Sequence, residues 1–225
     1  MRHASPVLVT LAALASGCLP VMPHPTRVEP AFHMGMHAGF VVFSDSTTSR
    51  GRGTGGIPFV DTEFALGLRD PSREDLPGFR VSLMAGLSGY AGSLYMELPR
   101  PFLGDIDTGL GAFLHRGRYR NLGAYFQFGH NSASDLAWYV RNAIVLSENH
   151  GVTRTVWMPT LGVTVDRGTQ ITQLYLAAAI GQQPPICTWF SCAETTYRQQ
   201  TNFVVGVSMS RQLQTPPYGE LPPRE

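Results

Sequence analysis

The chain contains no lysine: all 17 basic residues are arginine, set against 16 acidic ones. With a net charge of +1 and no basic block, it lacks the footprint of a nucleic-acid-binding protein. Charge of either sign is scarce, 15% of residues against the ~25% of an average soluble domain. Long apolar runs are missing as well. Nothing approaches the ~20 residues of a membrane-crossing helix, so a helical membrane bundle is excluded. Cysteine is limited to three residues. Disorder is excluded by the opposite evidence, a hydrophobic content of 43%. What remains is a chain with 24 glycines and 10% aromatics, long enough for one or two domains.

Residues 1–17 have the anatomy of a secretory signal peptide. Arg2 gives a positive start, 7–15 an apolar stretch too short to cross a bilayer, and small residues follow. The run Leu14-Ala15-Ser16-Gly17-Cys18 resembles the lipobox of bacterial lipoproteins. That resemblance implies that Cys18 is lipidated and becomes the mature N-terminus. The family prefers leucine three residues before the cysteine, whereas here Leu14 stands four before and Ala15 three. Cleavage after Ala15, leaving Cys18 as a thiol, is the alternative. Cys187 and Cys192 lie close together in a polar stretch, and an exported chain meets oxidising conditions, so these two form a candidate disulfide with Cys18 left over.

Residues 18–30 carry Pro20, Pro23, Pro25 and Pro30, the composition of a semi-rigid extended tether. Residues 214–225 repeat it as a C-terminal tail with Pro216, Pro217, Pro222 and Pro223. The folded body is therefore expected over 31–213.

Within that body, apolar and polar or small residues alternate with the period of a half-buried strand over 32–43, 57–69, 79–88, 105–115, 119–129, 153–166, 169–182 and 198–211. Two further segments are weaker. Residues 93–98 are few, and 134–146 would also set Leu136, Tyr139, Val140, Ala143 and Ile144 on one helical face. The expected fold is all-β, an antiparallel up-and-down barrel of eight or ten strands.

The apolar face meets either a soluble core or lipid. A soluble sheet would show water charged residues and threonine. Here the second face is rich in glycine, alanine and serine with sparse charges of mixed sign, which suits a cramped lumen and points the apolar face at lipid. The connections at 44–56 and 183–197 read as long outer loops and that at 166–169 as a tight turn, with 70–78 an exception. In these respects residues 32–211 resemble the small bacterial outer-membrane β-barrels. The resemblance implies a transmembrane barrel in the outer membrane, in contact with its lipid. Such barrels end on an aromatic in the last strand; here the last strand is followed by a tail.

The inward set includes His33, His37, Asp61, Glu63, Arg69, Arg80, Asp105, Asp107, His115 and Arg141, read as an interior polar network because unpaired charges there would be very costly. A sharper reading makes His115, with Asp105 or Asp107, the acid–base pair of an outer-membrane hydrolase. His33 and His37 are four apart, ~13 Å along a strand, too far to chelate one metal together. Gly51-Arg52-Gly53-Thr54-Gly55-Gly56 matches a dinucleotide fingerprint in letters only, since a strand rather than a helix follows. Arg116, Arg118 and Arg120 cluster at a turn and could fork onto lipopolysaccharide phosphates. No metal or cofactor is expected. Three functions stay open: a non-enzymatic barrel acting through its loops, a lipid-anchored periplasmic β-barrel holding an apolar ligand as lipocalins do, and the hydrolase.

Overall fold

A computed structural model describes residues 23–45, 53–70, 72–73, 75–99, 106–117, 119–131, 136–149, 151–167, 169–183 and 198–214. Ten strands follow one another: β1 (Phe32–Asp45), β2 (Gly53–Leu68), β3 (Gly78–Gly86), β4 (Gly89–Glu97), β5 (Ile106–Arg116), β6 (Arg120–Asn131), β7 (Leu136–Asn149), β8 (Val152–Asp166), β9 (Gln170–Gln183) and β10 (Arg198–Gln214). Each pairs antiparallel with its neighbours in sequence, and β1 pairs with β10, so the sheet closes into a barrel with no free edge. Both segments that left the strand count open are strands. Residues 136–149, which also suited a helical face, pair along their length with β6 and β8. Even β3 and β4, nine residues each, meet the ~9–11 residues of a membrane-crossing strand.

The alternation sorts as a membrane barrel requires. Phe40, Phe64 and Phe126 are 57%, 45% and 38% exposed, and every strand contributes outward apolar side chains. On the outward face of the strands, Asp, Glu and Arg are confined to positions near the ends: Arg116, Arg120 and Glu148 at one mouth, Arg211 at the other. Aromatics gather toward both mouths, with Phe32, Phe79, Phe128 and Trp138 in one half and Phe40, Tyr90, Trp157 and Phe203 in the other. The lipocalin-like reading needs the three phenylalanines turned inward and is not supported.

The mouth where β1 begins and β10 ends is the near mouth; the other is the far mouth. The expected asymmetry of long outer loops and short turns does not hold. β1 and β2 stay paired to Asp45↔Gly53, so strand takes 44–45 and 53–56 of what reads as the loop 44–56, and 46–52 lie outside the described residues. Also at the far mouth, β3 and β4 join through 87–88, β5 and β6 through 117–119, and β7 and β8 through 150–151, where Gly151 takes the left-handed φ of 78° that a tight hairpin favours. Gly53, Gly55 and Gly56 belong to a strand that extends rather than to a loop. The second long connection, 184–197, with Cys187 and Cys192, lies outside the described residues.

Candidate functional site

An eight-stranded barrel is just filled by its own side chains, and ten strands leave more room. Part of that room holds the chain itself. Residues 23–31, of which 23–30 were expected as part of a tether, enter from the near mouth and lie inside the lumen. The wall is shaped to receive them. The Glu97 carboxylate accepts the Val28 N–H at 2.7 Å, and the Tyr95 hydroxyl donates to the Thr26 carbonyl at 2.8 Å. Gln127 Nε2 donates to the His24 carbonyl at 3.2 Å and to Thr26 Oγ1 at 3.3 Å. His24, 1% exposed, sets its ring 4.4 Å from that of Tyr95 with Nε2 against the Tyr125 hydroxyl. Gly67, Gly78 and Gly129 stand close to the plug: a side chain has no room at Gly67 beside Glu29 or at Gly129 beside Thr26, and at Gly78 it would press on Val28. Three wall side chains thus satisfy backbone groups of the plug, replacing the water those groups would lose on burial.

Among the described residues, nine of the predicted interior set are buried: His33, His37, Asp61, Glu63, Arg69, Arg80, Asp107, His115 and Arg141. Glu63 joins His37 at 3.0 Å and Arg80 at 3.4 Å. Arg69 pairs with Glu97, the carboxylate that also holds the plug. Arg141 donates from Nε and Nη2 to Gln127 Oε1 at 2.8 and 2.7 Å and lies 4.6 Å over the Tyr125 ring. Gln127 therefore relays the buried cation to the plug. Asp61 accepts the Ser88 N–H at 3.0 Å. His33 and Asp107 are buried. Asp105, Arg118 and Cys18 lie outside the described residues.

His115 and Asp107 do not form the acid–base pair of the hydrolase reading. His115 Nε2 engages the Ser88 carbonyl at 3.0 Å and Nδ1 the Asn121 amide at 3.1 Å, so both ring nitrogens are occupied and the ring is fully buried. Asp107 shares its face but stands eight residues away on β5, ~26 Å along the strand. The spacing argument that separates His33 from His37 separates this pair too.

Sequence reasoning missed Glu97, Gln127 and the plug. Glu97 continues the inward alternation of Ser93 and Tyr95 in a segment that seemed too short to weigh. It also missed why glycine lines the lumen. Aromatic side chains fill the space a Cβ would take at glycines of adjacent strands: Tyr95 at Gly109, Tyr125 at Gly111, Phe113 at Gly123, Tyr139 at Gly162 and Tyr175 at Gly206. The glycines make seats for rings.

At the near mouth Glu29, ahead of β1, shares a cleft with Arg27, His130 and Asp166. Burial, then the charge of Asp166 and a hydrogen bond to it, raise the Glu29 carboxyl from its ordinary 4.5 to about 7. The folded chain then keeps a proton that the unfolded chain releases. The contribution is complete below pH ~4.5 and is lost as pH rises through ~7. Urea midpoints of the wild type should accordingly fall across that window relative to Glu29→Gln; parallel curves for the two proteins would refute the pairing.

No protein-family model matches the chain, and no curated protein matches its sequence. Among solved structures it is similar to Neisserial surface protein A at a TM-score of 0.38 and 11% identity, over 81% of this chain and 97% of that one. It is similar to the NanC porin at 0.39 and 9%, over 79% and 100%. The translocator domain of the autotransporter NalP from Neisseria meningitidis gives 0.38 and 8%, over 83% and 90%. Overlaps this loose transfer no residue, ligand or activity.

Proposed function

We propose that this protein is a non-enzymatic outer-membrane β-barrel, lipidated at Cys18, with a structural or surface-contact role and a sealed lumen. One observation carries the reading. The strands expose thirty-one large apolar side chains, spread over all ten of them, while the lumen buries charges and a plug. A soluble monomer rarely shows a contiguous apolar patch beyond ~300–600 Å², and a continuous band around the barrel far exceeds that. In a bilayer the same band is the favourable solvent contact.

The deciding experiment is an alkaline-carbonate wash of membranes carrying Cys18→Ala, exported by a cleavable signal. Without the lipid, the body should stay in the membrane pellet as folded protein. Release into the wash would overturn the reading. A sealed lumen further predicts that the wild type is silent in planar bilayers, whereas deletion of 23–30 should give stepwise conductance. A folded deletion variant that stays silent would mean that the wall seals itself.

Contact with lipopolysaccharide is part of the same proposal. Arg116 and Arg120 oppose each other across β5 and β6 on the outward face, with Tyr90 opposite Arg116. Like charges directly opposed destabilise a strand pair, and Glu148 at 3.9 Å relieves only Arg120. A lipid phosphate would complete the set.

A further inference from the structure

One polar group stands where the outward face is otherwise apolar. Among the described residues, the charged and amide side chains that the strands turn outward lie near strand ends: Arg116, Arg120, Glu148, Gln170 and Arg211. There they meet headgroups and water. Asn142 is the exception. It lies midway along β7 (Leu136–Asn149), exposed on the same face as Ile144 and Leu146. No hydrogen bond joins its amide to another described residue. At that depth a bilayer offers only hydrocarbon, and a polar side chain left there is costly enough to mark a functional position.

The wall beside Asn142 is short of a hydrogen bond as well. Asn142 is the direct cross-strand partner of Pro159 on β8. The β8–β9 ladder pairs Trp157 with Ile180 and Thr160 with Ala177, but skips Met158 and Pro159 between them. Proline has no N–H to give, so the β9 backbone opposite it loses a ladder donor in the middle of the membrane. Sheets confine proline to their edges for this reason, and a closed barrel has no edge. An exposed amide and an under-bonded backbone therefore adjoin each other. The outward face is low next to them, where Ala112 and Ala124 oppose each other across β5 and β6, so a second wall can come close.

We propose that the patch centred on Asn142 and Pro159 is the contact through which two copies of this chain pair side by side in the membrane. The proposal rests on the membrane-barrel reading and adds a partner to it. Depth selects a protein over a lipid, because the polar groups of lipids lie at the two interfaces and not at the bilayer centre. Chemistry selects this chain as that protein. A carboxamide carries both donors and an acceptor, so it is its own complement. A two-fold axis along the membrane normal sets the Asn142 amides of both copies face to face, where they exchange a reciprocal pair of hydrogen bonds. Such a contact closes at two copies. No like charge opposes it, since Glu148 stands at the end of the same strand.

Two measurements on the folded full chain test this. Sedimentation equilibrium in density-matched detergent micelles should give a reversible dimer. Asn142→Leu should raise its dissociation constant about 3- to 16-fold, the range for a hydrogen bond between membrane segments, and Asn142→Gln should recover most of the affinity. A monomer at every protein-to-detergent ratio overturns the proposal and makes any partner a different protein. An unchanged dissociation constant in Asn142→Leu overturns it too. Separately, in a Cys18→Ala/Cys187→Ser/Cys192→Ser background in phosphatidylcholine vesicles, Ile144→Cys should cross-link two chains on oxidation. Leu83→Cys, equally outward but on β3, should not. Equal cross-linking at both positions would mean random collision and overturns the proposal. Only folded, heat-modifiable barrels are scored, so a failed dimer is a separate result from a body that washes out of membranes.

Discussion

Arg80→Met is expected to destabilise the folded barrel by about 3–5 kcal/mol, read as a lowered urea midpoint in lipid or detergent. Glu63 is 3% exposed and pairs with Arg80 and His37. Removing the guanidinium leaves a buried carboxylate whose desolvation is no longer offset, and that penalty exceeds what the pair contributed while intact. The double variant Glu63→Gln/Arg80→Met should therefore recover much of the loss, because both charges leave together. The exposed pair Arg73–Asp75 has a shorter contact, 2.8 Å, yet Arg73→Met should leave the midpoint unmoved, since water screens it. Equal effects at Arg73 and Arg80, or no recovery in the double variant, would sink the account.

The same contrast marks what could be read from the sequence. Period-two alternation places Phe64 and Glu63 on opposite faces whatever the fold, and the composition of the second face decided that Phe64 points outward. Loops and the plug were not legible, for a common reason. Both depend on where a polar, glycine- or proline-rich segment finds its hydrogen-bond partners, and those partners are distant in sequence. Val28 needs Glu97, sixty-nine residues on. Nothing within residues 18–30 announces that a wall of Tyr95, Glu97 and Gln127 awaits them, so proline reads as tether. Likewise Gly53–Gly56 reads as loop because the β1 ladder that holds it is set by register rather than by local preference. The partners of His115 were hidden for a related reason: alternation gives the face of a side chain, while its neighbours on the adjoining elements, Ser88 and Asn121, are given by strand order.

Glycine in this wall reverses the ordinary expectation, and Gly162→Val is the variant that exposes it. On strand propensity alone, valine should stabilise β8, because glycine adds flexibility and no packing. Here Tyr139 is the direct cross-strand partner of Gly162, and its ring covers the position a Cβ would take. A valine must push that ring toward Arg141, whose guanidinium already lies 5.8 Å over it. Overpacking at a buried site of this kind costs about 1–3 kcal/mol. The expected result is a lower yield of folded, heat-modifiable barrel and a lower urea midpoint. Gly162→Val/Tyr139→Ala should be more stable than the sum of its single variants implies, because the two side chains compete for one volume. Gly92 supplies the control. It faces outward, and a Cβ there would lie 3.6 Å from Leu83 Cδ2, an ordinary contact, so Gly92→Val should be neutral or stabilising. If both valines shift stability in the same direction, glycine in the lumen is not seating rings, and its abundance there needs another cause.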